Sequence, residues 1–126
     1  MANYDTMRAY LDKIIAGEFE AVEDYYTDDI VVHFAGQSAA AGEYHGKVEY
    51  TAALSKIMGL IDDLAVEEHD LLVSDDHAVV LNTWHVTRGD ASADLKHVIV
   101  YHTRGDQISE IWIVPEDQQA NAAILS

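Results

Sequence analysis

Residues 97–118 read HVIVYHTRGDQISEIWIVPEDQ, and this stretch decides the fold. It holds two runs rich in β-branched and aromatic residues, separated by Gly105-Asp106, a pair that favours a tight turn. Within each run, apolar residues occupy neighbouring as well as alternate positions, which is typical of a strand that is covered on both faces. Pro115 ends the second run, because proline has no N–H to donate to a neighbouring strand. The stretch therefore predicts an antiparallel hairpin with both faces covered.

Two more strand signals precede this hairpin and extend it into a meander. The four predicted strands cover residues 64–74, 77–88, 93–104 and 107–114. The pairs Asp75-Asp76 and Gly89-Asp90 lie between the earlier strands and again favour tight turns. The predicted topology of this region is an antiparallel meander.

The chain before the meander is mainly helical, because its apolar residues recur at intervals of three and four. The predicted elements are helices over residues 4–16, 18–26 and 47–61, short strands over 30–34 and 43–45, and a short helical turn after Pro115. Helices followed by a meander predict an α+β fold, with the helices packed on one face of a strongly bent antiparallel sheet. We expect one domain over residues 1–126, because a chain of 126 residues has little left for a second core.

Composition excludes several classes of partner. The chain has 7 Lys plus Arg against 23 Asp plus Glu, a formal net charge of -16, and such a field repels nucleic acid phosphates and anionic lipids. It has no cysteine, so disulfides and thiolate metal sites are excluded. No apolar signal core begins the sequence, and no apolar run approaches the roughly 20 residues of a membrane helix. We therefore expect a cytoplasmic protein without nucleic acid or membrane partners.

Three segments carry a resemblance to a known family. They are DDIVVHFAGQSAAAGEYHGK from Asp28, EEHDLLVSDDHAVVL from Glu67, and the hairpin stretch from His97. Together with the order of elements, they resemble the SnoaL-like branch of the nuclear transport factor 2-like superfamily, which includes polyketide cyclases, ketosteroid isomerases and limonene epoxide hydrolases. The resemblance implies a cone-shaped half barrel that encloses, with its helices, one pocket for a small, largely apolar molecule. Its motifs, such as Gly-x-Tyr-x-Gly at residues 42–46, are structural and indicate little about chemistry.

Two donor positions of ketosteroid isomerases have counterparts here. In those enzymes a helix-one tyrosine, seven residues before a glycine, donates to the developing oxyanion, and Tyr10 precedes Gly17 by the same interval. A protonated acid at the start of the penultimate strand is their second donor, and His97 occupies the similar position. The resemblance therefore implies catalytic roles for Tyr10 and His97.

Other catalytic positions of these relatives are not kept. Phe34 matches the aspartate base of ketosteroid isomerases and cannot move a proton, so isomerisation by the usual route is not expected. The arginine and two aspartates of limonene epoxide hydrolases are matched by Trp84, Val86 and Ile113. The resemblance thus predicts the pocket better than the reaction.

One face of the predicted meander is expected to line this pocket. If Gly89-Asp90-Ala91 forms the hairpin turn, residues whose numbers sum to about 181 face each other, so Trp84 lies opposite His97. Strand alternation places on this face Asn82, Trp84, His97, Ile99 and Tyr101. Phe34 and Ile113 are further ligand-binding candidates.

The polar residues of this face leave several roles open. An apolar wall with one amide and one imidazole suits a ligand site, and a filled core with satisfied polar groups is the alternative. His97 is the predicted acid or base, because imidazole titrates near neutral pH, although a strand histidine also serves as a structural residue. Tyr10 is either a donor to a ligand oxygen or a core tyrosine.

No metal or cofactor is predicted. The other histidines form no compact pair backed by a carboxylate, and strand alternation scatters them over both faces. No motif for a phosphate or nicotinamide cofactor occurs. Glu110 and Asp117 are interpreted as structural or interfacial acids.

Several functions remain as hypotheses. The first is a cofactor-independent isomerase- or cyclase-like enzyme that acts on a small hydrophobic carbonyl compound. A non-catalytic binding module for a hydrophobic metabolite is the alternative, and an epoxide hydrolase-like enzyme or a structural dimerisation domain stays open. We also expect a homodimer, because alternate residues such as Val98 and Trp112 would otherwise leave an apolar sheet face in water.

Overall fold

The computed structural model describes residues 2–126 and shows mainly helices before a long run of strands. Its elements are α1 (Ala2–Ile15), a 3₁₀ helix (Phe19–Tyr25), β1 (Tyr26–Phe34), β2 (Gly42–His45), α2 (Lys47–Leu60), β3 (Asp63–Val73), β4 (His77–Arg88), β5 (Ala91–Arg104), β6 (Gln107–Pro115) and α3 (Gln118–Ile124). This is the predicted α+β order. Within the described range, no helix is long and apolar enough to cross a membrane.

All six strands form one mixed sheet in the order β2-β1-β6-β5-β4-β3. The predicted meander is confirmed, because β3, β4, β5 and β6 pair in sequence and antiparallel. β1 instead runs parallel to its neighbour β6, so the sheet is not wholly antiparallel. A parallel pair is possible here because the chain between β1 and β6 is long, whereas a tight turn can join only antiparallel strands.

The turn between β4 and β5 is shorter than predicted. Arg88 pairs with Ala91, so only Gly89 and Asp90 form the loop. Gly89 has a φ of +59°, the left-handed conformation that a tight two-residue hairpin turn requires and that glycine adopts without strain. The loop therefore contains two residues, whereas the predicted pairing leaves four, residues 89–92.

The shorter turn changes the cross-strand partners in the hairpin. Asn82 lies opposite His97, and Trp84 lies opposite Leu95, so the predicted pairing of Trp84 with His97 was wrong. The error moves each partner by two residues, and a shift of two keeps every side chain on the same face. The predicted membership of the inner face is therefore unchanged.

β1 begins at Tyr26 rather than near Ile30. Asp28 and Asp29, which precede the predicted strand, are exposed positions within the observed one. The register against β6 shifts between Tyr26 and Val31, and this irregularity lets the two acids face solvent while the strand continues. The longer strand carries Tyr26 into the interior.

The helices cover one face of the sheet, which we call the inner face, and leave the opposite outer face bare. α1 packs on β3, α2 on β1 and β2, and α3 on β5. The side chain of Asp117 caps α3 by accepting hydrogen bonds from the backbone N–H groups of Gln119 and Ala120, at 3.1 and 3.0 Å. Asp117 thus has the structural role that was predicted for it.

Candidate functional site

The helices and the inner face enclose a cavity of about 100 Å³. Its walls come from α1, the 3₁₀ helix and α2 on one side and from all six strands on the other. Among the lining residues, those with a hydroxyl or an amide are Tyr10, Tyr26, Tyr44, Tyr50, Tyr101 and Asn82. The remaining lining is almost wholly aliphatic and aromatic.

Charged side chains do not line this cavity anywhere in residues 2–126: no Asp, Glu, Lys, Arg or His contributes to the wall. An ion would lose its hydration there without gaining a charged partner, which is costly. A neutral molecule with an apolar body and one or two polar atoms is the ligand that such a wall favours.

The hydroxyls of Tyr10 and Tyr26 form a hydrogen-bonded pair, with 2.9 Å between the two oxygens. Tyr10 comes from α1 and Tyr26 from the first position of β1. Burial, with neighbouring tyrosines adding to it, raises the pKa of both hydroxyls well above the usual value. Both therefore stay protonated at neutral pH. One hydroxyl donates its hydrogen to the other, so the pair keeps one hydrogen for another acceptor.

Tyr50 and Tyr101 hold this pair in place. The ring of Tyr101 meets that of Tyr10 edge to face with centroids 5.6 Å apart, and Tyr50 meets Tyr26 in the same way at 5.2 Å. Burial raises the pKa of Tyr50 to about 12 and also raises that of Tyr101. Edge-to-face contacts of this kind stabilise particular ring orientations, so the hydroxyl pair is fixed before a ligand arrives.

Asn82 supplies the only amide among the described lining residues. It is 6% exposed, and within residues 2–126 its Oδ1 has no hydrogen-bond partner. A buried polar atom without a partner costs about 1–3 kcal/mol. Rotation of the amide exchanges its oxygen and nitrogen, so the group can offer either an acceptor or two donors.

Trp84 and Phe34 form the aromatic part of the wall beyond the tyrosines. Their rings meet edge to face with centroids 6.1 Å apart. His97 packs against Trp84, with 4.0 Å between ring centroids, and is 2% exposed. Its side chain is nevertheless not part of the cavity lining.

His97 instead connects β5 to α3. Nδ2 of Asn121 donates to Nε2 of His97 at 3.0 Å, and Nδ1 makes no well-formed hydrogen bond with any described residue. Burial lowers the pKa of His97 to about 4, with the Leu95 backbone opposing the shift, so the imidazole is neutral at pH 7. Its role as proton carrier stays a prediction, and no contact with the cavity supports it.

All the other predicted site residues line the cavity: Tyr10, Phe34, Asn82, Trp84, Ile99, Tyr101 and Ile113. Tyr26, the partner of Tyr10, was missed because the sequence placed it at the end of a helix. Alternation from Phe34 does not extend reliably to Tyr26, because the register of β1 shifts between Tyr26 and Val31. Tyr50 was predicted on one side of α2, without a role in the pocket.

A groove beside the 3₁₀ helix adjoins the cavity. The residues common to both are Phe19, Tyr26, Leu54 and Met58. The rim of the groove carries Glu18, Glu20 and Glu23, and no described basic residue belongs to it. The groove is the side on which the cavity approaches solvent, and its charge disfavours anions.

Elsewhere in the described chain, no group of three or more His, Asp or Glu side chains is arranged to hold a metal ion. Histidines on the outer face each contact a neighbouring acid instead. Nε2 of His33 is 2.6 Å from Oε2 of Glu110, and Nδ1 of His85 is 2.7 Å from Oδ1 of Asp94. Glu110 thus lies on the face opposite the cavity, as strand alternation predicted.

Solved structures with the same fold are similar along nearly the whole chain. A protein of unknown function with a cystatin-like fold from Xanthomonas campestris is 18% identical, covers 100% of this chain and 99% of that chain, and has a TM-score of 0.91. An NTF2-like protein of unknown function from Burkholderia pseudomallei is 19% identical and has a TM-score of 0.87. The match covers 100% of this chain and 98% of that chain. TerC co-crystallized with polyporic acid is 15% identical and has a TM-score of 0.85. The match covers 99% of this chain and 98% of that chain.

These identities establish the fold alone, which is the NTF2-like fold that the resemblance implied. No curated protein matches the sequence. The family model described as "SnoaL-like domain" matches residues 7–111, a span that runs from α1 into β6 and contains most of the cavity wall. The chain therefore belongs to the SnoaL-like domain family.

Proposed function

We propose that this protein binds a small, neutral, hydrophobic carbonyl compound in the cavity. The observation that carries the proposal is the hydroxyl pair of Tyr10 and Tyr26, 2.9 Å apart, in a wall without charged side chains. A carbonyl oxygen is an acceptor for the hydrogen that this pair has left to donate. The aliphatic and aromatic wall provides area for an apolar body, which is how most small-molecule sites gain affinity.

Binding without conversion is the activity that the geometry supports best. Proton transfer needs a group that titrates near the working pH, and the titratable groups in the wall are five tyrosines, all of which have raised pKa values. Phe34 stands where the related isomerases have their base. TerC, a structural neighbour, was co-crystallized with polyporic acid, and we extend organic-ligand binding to this chain by analogy.

Fluorescence of Trp84 tests the proposal directly. The chain has 2 tryptophans, so in the Trp112→Phe variant Trp84 is the only one left, and it lies in the cavity wall. Titration with acetophenone should quench this emission to a plateau. In the same background, Tyr10→Phe should weaken acetophenone binding about 5- to 10-fold, which corresponds to one hydrogen bond of about 1 kcal/mol.

Tyr25→Phe is the matched control. The ring of Tyr25 meets that of Tyr10 with centroids 5.7 Å apart, yet Tyr25 is not part of the cavity lining. The Tyr25→Phe variant should bind acetophenone as tightly as the parent protein does. Quenching that stays linear with ketone concentration, or an equal loss in the Tyr10 and Tyr25 variants, would contradict the proposal.

A second candidate is isomerase- or cyclase-like catalysis on the same class of compound. The observation that favours it is again the hydroxyl pair, because fixed donors in a site without bulk water stabilise negative charge that develops on a carbonyl oxygen. Exchange of the α-hydrogens of acetophenone in D₂O, followed by NMR, measures this activity. His97→Gln should slow exchange on the order of a hundredfold if His97 carries the proton. Exchange no faster than in buffer would rule out this candidate.

We also propose that two copies associate through the outer face. Leu72, Val98 and Val114 lie there and are 54%, 39% and 43% exposed. Trp112 adds an aromatic ring, stacked on His33 with centroids 5.6 Å apart. A symmetric contact between two such faces would remove this apolar area from water. Sedimentation at micromolar concentration should give twice the chain mass, and a mass of 14.0 kDa would contradict the dimer.

A further inference from the structure

Oδ1 of Asn82 makes no hydrogen bond with its neighbours on the inner face. Its cross-strand neighbours are His97 on β5 and Glu68 on β3. Nε2 of His97 accepts from Asn121, and the carboxylate of Glu68 accepts two hydrogen bonds from Arg8, at 2.7 and 2.8 Å. Oδ1 of Asn82 and Nδ1 of His97 are both left without a hydrogen-bond partner among the described residues, although both side chains are almost fully buried.

The amide and the tyrosine pair lie at separate places along the inner face. His97 faces Asn82, and Tyr101, which contacts Tyr10, lies four residues further along β5. Four residues of a strand span about 13 Å. The inner-face residue between them is Ile99, which faces Val80. The cavity wall thus has two polar regions with an apolar stretch between them.

A hydroxyl group is the chemistry that suits this amide. A hydroxyl donates one hydrogen bond and accepts two, so it satisfies the amide of Asn82 whichever way the oxygen and nitrogen are turned. A carboxylate would need a cation, and no Lys or Arg belongs to the described wall. An ether only accepts, so it suits one orientation of the amide.

We propose that the ligand is a neutral hydroxyaryl ketone, with its carbonyl on the Tyr10–Tyr26 pair and its hydroxyl on Asn82. This inference rests on the proposed function and adds to it the second polar group of the ligand. It makes Asn82 the residue that selects hydroxylated ligands over their deoxy analogues.

Two pairs of ligands test the selection at two lengths. The shorter pair is 4'-hydroxyacetophenone and acetophenone, and the longer pair is 6-acetyl-2-naphthol and 2-acetylnaphthalene. Isothermal titration calorimetry gives the ratio of the two dissociation constants within each pair. At the length that spans the cavity, the hydroxylated ligand should bind at least about tenfold more tightly, and 4-acetylbenzoate should not bind.

Two variants separate the ends of the ligand. Asn82→Leu keeps the side-chain volume and removes the amide, so the hydroxyl preference should fall to about one while the deoxy ketone binds as before. Tyr10→Phe should weaken the binding of both ligands of a pair by the same factor, so the ratio of their dissociation constants should not change. Melting temperature adds a readout that a structural role would move: Asn82→Leu should melt at the parent temperature or a few degrees higher, because it removes an unpaired buried polar group.

The outcomes distinguish failure of the inference from failure of the proposed function. Ketones that bind with no hydroxyl preference at either length overturn the inference and leave carbonyl binding intact. A preference that persists in Asn82→Leu, or a melting temperature several degrees lower in that variant, also overturns it. If no ketone of either pair binds the parent, the proposed function fails and the inference fails with it.

Discussion

The two faces of the sheet come from the same strands and differ in chemistry from one residue to the next. On the hairpin of β4 and β5, His97 points to the inner face, and burial lowers its pKa to about 4. His85 points to the outer face, where hydrogen bonds to Asp94 and Glu67 raise its pKa. Strand alternation thus places His97 where burial favours its neutral form and His85 where two acids favour its charged form.

This difference extends to what each face can recognise. The cavity wall on the inner face offers hydroxyls and one amide without charges, which suits a neutral ligand. The outer face combines apolar side chains with histidine–acid pairs, such as His33 with Glu110. The outer face is thus suited to a partner surface.

The largest expected effect comes from a substitution on the outer face that disrupts the proposed dimer and leaves the cavity unchanged. Val98→Glu places a carboxylate in the middle of the proposed dimer contact, and burying it without a partner costs several kcal/mol. We expect dimer association to weaken at least about a thousandfold. Sedimentation velocity over a range of concentrations measures this, and acetophenone affinity should not change.

Val48→Glu is the control for that substitution. Val48 is 86% exposed on α2, away from the outer face, so the same change there should leave the dimer intact. If Val98→Glu sediments like the parent protein, the contact does not run through the outer face.

The next largest effect concerns acidification of the inner face. The pKa of His97 is lowered from 6.5 to about 4 in the folded protein, so the unfolded chain binds the proton more tightly. The stabilising contribution is complete above pH 6.5 and is lost as pH falls towards 4, by at most about 3 kcal/mol. Urea unfolding of the parent should therefore lose more free energy between pH 7 and pH 4 than His97→Gln does. Parallel pH curves would show that His97 does not titrate in this way.

Sequence patterns sufficed for most of the fold, because alternation and turn residues are local signals. The strand from His77 to Arg88 was predicted to the residue. The parallel pairing of β1 with β6 was missed, because no local pattern specifies which edge a distant strand joins. The partners of Trp84 were wrong because the predicted pairing left residues 89–92 in the turn, whereas Gly89 and Asp90 alone close it.

The candidate site was predicted less completely than the fold. Alternation placed Asn82, Trp84 and Ile99 on the inner face correctly, since a period of two needs only the strand. The hydroxyl pair of Tyr10 with Tyr26 joins a helix to a strand, and a contact between separate elements has no sequence periodicity. His97 lies on the predicted face, but its hydrogen bond to Asn121 on the final helix depends on how that helix packs.

A smaller effect tests whether the hydroxyls of Tyr10 and Tyr26 act on the ligand together. Tyr26→Phe and Tyr10→Phe should each weaken acetophenone binding about 5- to 10-fold. The double variant should be weaker than either single variant by less than the product of the two losses, because the two hydroxyls share one hydrogen-bond system. Calorimetry on the four proteins gives the coupling. Losses that multiply would show that the hydroxyls act on the ligand independently.

The smallest expected effect concerns His85 on the outer face, whose pKa shift has the opposite sign to that of His97. Hydrogen bonds to Asp94 and Glu67, at 2.7 and 2.8 Å, raise the pKa of His85 above 6.5, so the folded protein binds this proton more tightly than the unfolded chain. The stabilisation is present below the unfolded pKa while both carboxylates stay ionised, and it is lost as pH rises through the folded pKa. His85 is well exposed, so solvent and salt screen the interaction. His85→Gln should therefore melt slightly below the parent at pH 5.5, equal it at pH 9, and approach it at pH 5.5 in 0.5 M salt. A difference that persists at pH 9 would assign the effect to packing rather than to charge.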